Sequence, residues 1–129
     1  MYHKFQSTQL YTGTELSQDQ LVLITTKDGI IEGIVGIEDA GADIQSFDGI
    51  LTPGFVNAHC HLELSHMKDM IPAHVGLQEF VKQIVSLRKV EPDAIQEAIV
   101  AAEKEMMANG IVAVGDISNT LDTLTQKAK

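Results

Sequence analysis

Basic residues are scarce in this chain. Nine Lys and Arg stand against eighteen Asp and Glu, giving a net charge of −9 over 129 residues. Phosphate backbones and anionic membrane surfaces are bound through clusters of Lys and Arg. Neither nucleic acid nor a membrane is therefore an expected partner. Cysteine is scarcer still: Cys60 stands alone, which excludes a disulfide framework. No stretch reaches the roughly 20 apolar residues of a membrane span. The start, Met1-Tyr2-His3-Lys4-Phe5-Gln6, carries no signal-like apolar core. A reducing cytoplasm is the expected compartment. Internal repeats, low-complexity segments, phosphate-cradling Gly loops and nucleophile elbows are all missing.

What is present centres on Leu51-Thr52-Pro53-Gly54-Phe55-Val56-Asn57-Ala58-His59-Cys60-His61-Leu62-Glu63. Pro53-Gly54 marks where a strand starts. Side chains on a strand alternate between its faces. One face then carries Phe55, Asn57, His59, His61 and Glu63, and the other carries Val56, Ala58, Cys60 and Leu62. The second set is small or apolar, as suits packing on helices, so Cys60 reads as packing. The first set ends in two imidazoles and a carboxylate, as suits the C-terminal end of a parallel barrel strand. His-x-His on a strand puts both rings on one side, about 7 Å apart at the backbone, where they can converge on one cation such as zinc or iron.

The run Pro53-Gly54-Phe55-Val56-Asn57-Ala58-His59-Cys60-His61-Leu62 resembles the first barrel strand of the amidohydrolase superfamily, in the branch of cytosine and guanine deaminases, aminohydrolases and chlorohydrolases. The resemblance implies an α/β fold: the start of a (β/α)8 TIM-type barrel, preceded by part of a small β-sandwich. It implies that His59 and His61 are metal ligands, with zinc the first candidate and iron the second. It also implies hydrolysis of non-peptide carbon–nitrogen bonds, in which the metal lowers the pKa of a water that attacks an electron-poor carbon. A purine- or nucleoside-like substrate losing ammonia is the expected case. By similarity to adenosine-type deaminases, Glu63 is a substrate contact. A closed barrel takes about 250 residues, so the barrel is incomplete here. The expectation is an N-terminal portion, inactive alone, that needs the remainder of the barrel or a homo-oligomer partner. The alternatives are a non-catalytic binding or assembly module and a small structural-metal protein.

The flanking sequence gives residues 1–52 as the β-sandwich part and 53–129 as the first β/α units. Before the motif, Gln20–Thr25 and Ile30–Ile37 read as hairpin strands around Asp28-Gly29. Residues 38–42 read as a loop and Ile44–Phe47 as a short strand closed by an Asp48-Gly49 turn, which makes a meander. After the motif, residues 64–75 read as a loop in which His66 is a candidate substrate contact. Gly76–Lys89 has helical periodicity, with an apolar stripe that reads as packing, and so has Pro92–Asn109, stopped by Asn109-Gly110. Ile111–Ile117 is a buried parallel strand by its apolar run. Asp116 at its end is a candidate for supporting the metal site or touching substrate. Residues 121–129 would open another helix.

Overall fold

The computed structural model describes residues 1–17 and 19–124. The chain divides into two compact units, Met1–Pro53 and Gly54–Lys129.

The first unit is a five-stranded sheet. Strands β3 (Leu21–Thr26) and β4 (Ile31–Gly36) form the expected antiparallel hairpin. Gly29 takes φ +83° at its turn, a backbone region open to glycine without a Cβ clash. Thr26 closes the turn from both ends: its carbonyl accepts from Gly29 N–H, and its hydroxyl accepts from Ile30 N–H at 3.1 Å. Strand β1 (Tyr2–Tyr11) pairs antiparallel with β3, from Tyr2↔Thr26 to Gln6↔Val22, and with the two-residue β2 (Leu16–Ser17). Val22, Leu10, Thr25 and Ala40 are the buried residues of this unit.

Three details depart from the sequence reading. A single helical turn, α1 (Ile37–Ala40), stands where a loop was expected. Asp48-Gly49 does not end a strand but lies inside β5 (Gln45–Leu51), with Gly49 at φ +109°. The ladder with β1 shifts register between Ser7 and Gln9, so an irregularity absorbs the glycine. Finally, β5 returns parallel to β1, so the unit is not a simple meander.

The second unit is a βαβ arrangement. Strands β6 (Phe55–Cys60) and β7 (Ile111–Asp116) are parallel neighbours, and helices α2 (Leu77–Leu87) and α3 (Pro92–Ala108) lie between them in sequence. Pro92 sits in the first turn of α3, where its missing N–H is harmless. Gly110, at φ +78°, ends α3, and its carbonyl accepts from Phe55 N–H at 2.8 Å. Ile99 of α3 is fully buried, and Leu62 and Met67 are buried with it.

Strand β6 stops at Cys60, short of the expected Glu63. Residues Leu62–Met67 wind into a 3₁₀ segment instead of a loop. The apolar stripe of α2, expected to pack, is exposed: Leu77 keeps 77% of its surface and Phe80, Val81 and Val85 are also exposed. The start of a helix over residues 121–129 lies partly outside the described residues, which end at 124.

Candidate metal centre

Strand β6 is irregular where it matters. Asn57 pairs with Val114 and Cys60 with Asp116, so three steps along β6 match two along β7. The extra residue is a bulge, and a bulge interrupts the alternation of faces. Asn57 stands just before the bulge: its Nδ2 lies 3.9 Å from Met106 Sδ of α3, and its Oδ1 accepts from His59 N–H at 3.3 Å. Gly115 makes the close approach possible. A Cβ there would stand 2.4 Å from the carbonyl oxygen of Ala58.

The bulge and the turn after it bring His59 and His61 together. Their ring centroids are 5.0 Å apart and their planes are nearly perpendicular, at 82°. Both side chains are exposed. His59 belongs to the strand, and His61 is the residue before the 3₁₀ segment, with φ −131° and ψ 79°. Its Nδ1 lies 2.6 Å from the carbonyl oxygen of Ile117. A carbonyl only accepts, so Nδ1 carries a proton, and in the neutral imidazole Nε2 then holds the lone pair. A metal-ligating histidine has this arrangement, its second nitrogen fixed by a hydrogen bond. The two imidazoles thus fit a borderline divalent cation. A catalytic site takes about three protein ligands and an open position. Among the described residues no group of three or more His, Cys, Asp or Glu side chains is placed to hold a metal.

Behind the histidines lies a cluster of carboxylates. Asp116 Oδ1 accepts from Leu62 N–H at 2.9 Å and its Oδ2 from the Ser118 hydroxyl at 2.7 Å. Cys60 Sγ is 3.9 Å from Asp116 Oδ1. Glu63 is 2% exposed. Its Oε2 accepts from the backbone N–H groups of Asn119 (2.9 Å) and Thr120 (2.7 Å), and its Oε1 from Asn119 Nδ2 (3.1 Å) and Arg88 Nη2 (3.2 Å). The Thr120 hydroxyl stands 2.8 Å from Glu63 Oε2 and 2.6 Å from Asp122 Oδ2, and its one proton serves one of them at a time. Burial pushes the Glu63 carboxyl up, but the hydrogen bonds from Thr120 and Asn119 outweigh it and leave its pKa below the ordinary glutamate value.

The candidate residues therefore separate into groups. His59 and His61 meet. Glu63 and Asp116 lie with the turn that follows β7, and Glu63 is not on the histidine face of a strand as the alternation predicted. His66 turns to the end of α2, where its Nε2 donates to the Arg88 carbonyl at 3.1 Å and its Nδ1 is buried without a protein partner. Arg88, Asn119, Thr120 and the Ile117 carbonyl were missed by sequence reasoning. Backbone groups leave no mark in a sequence, but Arg88 did: it is the chain's only arginine, at a helix end.

Parallel strands joined through helices, with histidines at a strand's C-terminal end, fit the beginning of a (β/α)8 barrel. The sequence profile of the Amidohydrolase family matches residues 50–129, and the chain belongs to that family. The structure is similar to an amidohydrolase from Brucella melitensis, with a TM-score of 0.68 and 16% identity, over 90% of this chain and 26% of that one. It is also similar to an A. niger ochratoxinase, with a TM-score of 0.59 and 15% identity, over 88% of this chain and 24% of that one. At these identities the likeness is one of fold, and the chain spans about a quarter of either length. A search of curated proteins gave no match. Among the described residues no helix is long and apolar enough to cross a membrane.

Proposed function

We propose that His59 and His61 are two ligands of a catalytic divalent metal, zinc in the first instance, in a hydrolase of non-peptide carbon–nitrogen bonds. The observation that carries this reading is the 2.6 Å contact between His61 Nδ1 and the Ile117 carbonyl, which leaves Nε2 as the free lone pair beside the His59 ring. When bound, the metal would supply Lewis acidity and a water of lowered pKa. The chain's own residues supply two ligand nitrogens and the frame that orients them. Residues 1–52 act as the β-sandwich part and 53–129 as the first β/α units. The substrate class we assign is a purine- or nucleoside-like amine that loses ammonia, in a cytoplasmic setting, as the deaminase-like motif around His59 and His61 suggests. Asp116 supports the turn behind the histidines through Leu62 N–H. His66, proposed as a substrate contact from its place in the loop, and Glu63, proposed from similarity to adenosine-type deaminases, are held by protein partners in this chain.

Two ligands fall short of a catalytic set, so the 129-residue chain by itself is expected to be inactive. The test measures zinc content and ammonia release from a panel of purines and nucleosides. It uses this chain and a longer reading frame that contains it. The longer protein should hold about one zinc and release ammonia, and His59→Ala or His61→Ala should abolish both. The 129-residue chain should release none. Hydrolysis of amides or chlorides without ammonia would overturn the substrate class. Zinc content unaffected by either substitution would overturn the metal site.

A further inference from the structure

Glu63 accepts hydrogen bonds from two places, the Asn119–Thr120 segment after β7 and Arg88 at the end of α2. Oε2 holds the backbone of Asn119 and Thr120, while Oε1 is fixed by Arg88 and Asn119 Nδ2. The segment it grips begins with Ile117, whose carbonyl fixes His61 Nδ1. We propose that Glu63 is a positioning residue for His61: it clamps residues 119–120, so that the Ile117 carbonyl stays against Nδ1 and Nε2 stays presented outward. The proposal rests on the reading of His61 as a metal ligand.

The peptide geometry makes the link specific. Ile117 N–H donates to the Cys60 carbonyl at 2.9 Å, which fixes the peptide between Asp116 and Ile117. The Ile117 carbonyl belongs to the next peptide, and the residues that follow set its orientation. Carboxylates supply two of the ties on those residues. One is the Ser118 hydroxyl on Asp116 Oδ2. The other is Glu63, which binds two successive backbone N–H groups. A carboxylate that accepts two backbone donors fixes a peptide direction as well as a distance. Arg88 keeps that carboxylate from swinging away, and burial keeps water from replacing it. Without Glu63, the Asn119 and Thr120 N–H groups lose their acceptor and the segment must reorganise to satisfy them.

The experiment is nitrogen-15 NMR of the imidazoles in the metal-free 129-residue chain, well above the ordinary histidine pKa of roughly 6.5, followed by titration with zinc ion. His61 in the unsubstituted chain should show the Nδ1–H tautomer. Glu63→Ala should shift it toward Nε2–H and weaken zinc binding by about tenfold, the scale on which outer partners of metal ligands act. Glu63→Gln keeps an acceptor for the two backbone donors and loses the charge toward Arg88, so it should give the same change at smaller size. His59→Ala and His61→Ala run beside them. If neither alters zinc binding, the metal reading fails, and the His61 tautomer alone still tests the clamp. If the tautomer and the zinc affinity are unchanged in folded Glu63→Ala, the positioning role is overturned. Should Glu63→Ala fail to fold, unchanged tautomer and affinity in Glu63→Gln overturn it instead.

Discussion

The two units solve the same problem with different groups. In Met1–Pro53 the long-range hydrogen bonds are mainly backbone ladders: β1 pairs with β2, β3 and β5. In Gly54–Lys129 the ladder has two strands among the described residues, and side-chain carboxylates do much of the joining. Asp116 binds Leu62 N–H, and Glu63 binds Asn119 and Thr120 N–H. A ladder tolerates most side chains, because its bonds come from atoms every residue carries. A carboxylate anchor depends on one residue type at one place. The first unit is therefore specified by pattern and register, and the second by a few individual positions.

The contrast can be broken or sharpened by substitution, with hydrogen exchange read separately on the amides of each unit. The largest effect is expected from Gly115→Ala. The new Cβ would stand 2.4 Å from a backbone oxygen of β6, so the strands must separate. A loss of about 3 kcal/mol is expected, confined to β6, β7 and the turn behind His61. Equal loss of protection in β1 and β3 would mean that the units unfold as one body. Val22→Ala removes the fully buried side chain at the centre of the first sheet. It should cost about 2 kcal/mol, leave the ladder register intact and spare the amides of β6 and β7. Lys68→Ala is the smallest test. Lys68 lies 2.8 Å from Glu105 in the second unit, with both side chains well exposed, and exposed pairs contribute little. A thermal melt should not move, and a clear fall in midpoint would show that surface charge matters here as much as the buried carboxylates do.

The local grammar of the sequence was legible wherever one residue type forces one backbone state. Asp28-Gly29 gave the hairpin turn, Pro92 the start of α3, and Gly110 its stop. The apolar run from Ile111 gave β7 as a parallel strand, but not the burial expected of it: Val112, Ala113 and Val114 are exposed. The pairing of His59 with His61 was also readable, although the mechanism differs from the expected one. A regular strand through Glu63 was to align the rings. The structure uses a bulge and a turn, because three residues of β6 span the space of two on β7. A bulge depends on the partner strand, in this case on Gly115 some 50 positions further on, and periodicity within β6 carries no trace of it. Asp48-Gly49 failed in the opposite sense: its turn signal was real locally, but pairing with β1 carried the strand through it. Glu63 was found as a candidate residue and assigned from strand alternation to a face it does not occupy. Its partners include two backbone N–H groups, those of Asn119 and Thr120, far along the chain.

The parallel pairing of β1 with β5 also has a consequence in time. Phe5 lies opposite Gln45, so β1 finds this neighbour only after about forty more residues have emerged. The β3–β4 hairpin closes over a short turn and needs nothing beyond residue 36. Closing the longer loop costs more chain entropy, and such distant pairings form late. A nascent chain arrested before Gln45–Leu51 would carry β1 with a bare edge, the kind of edge that invites another chain to add to it.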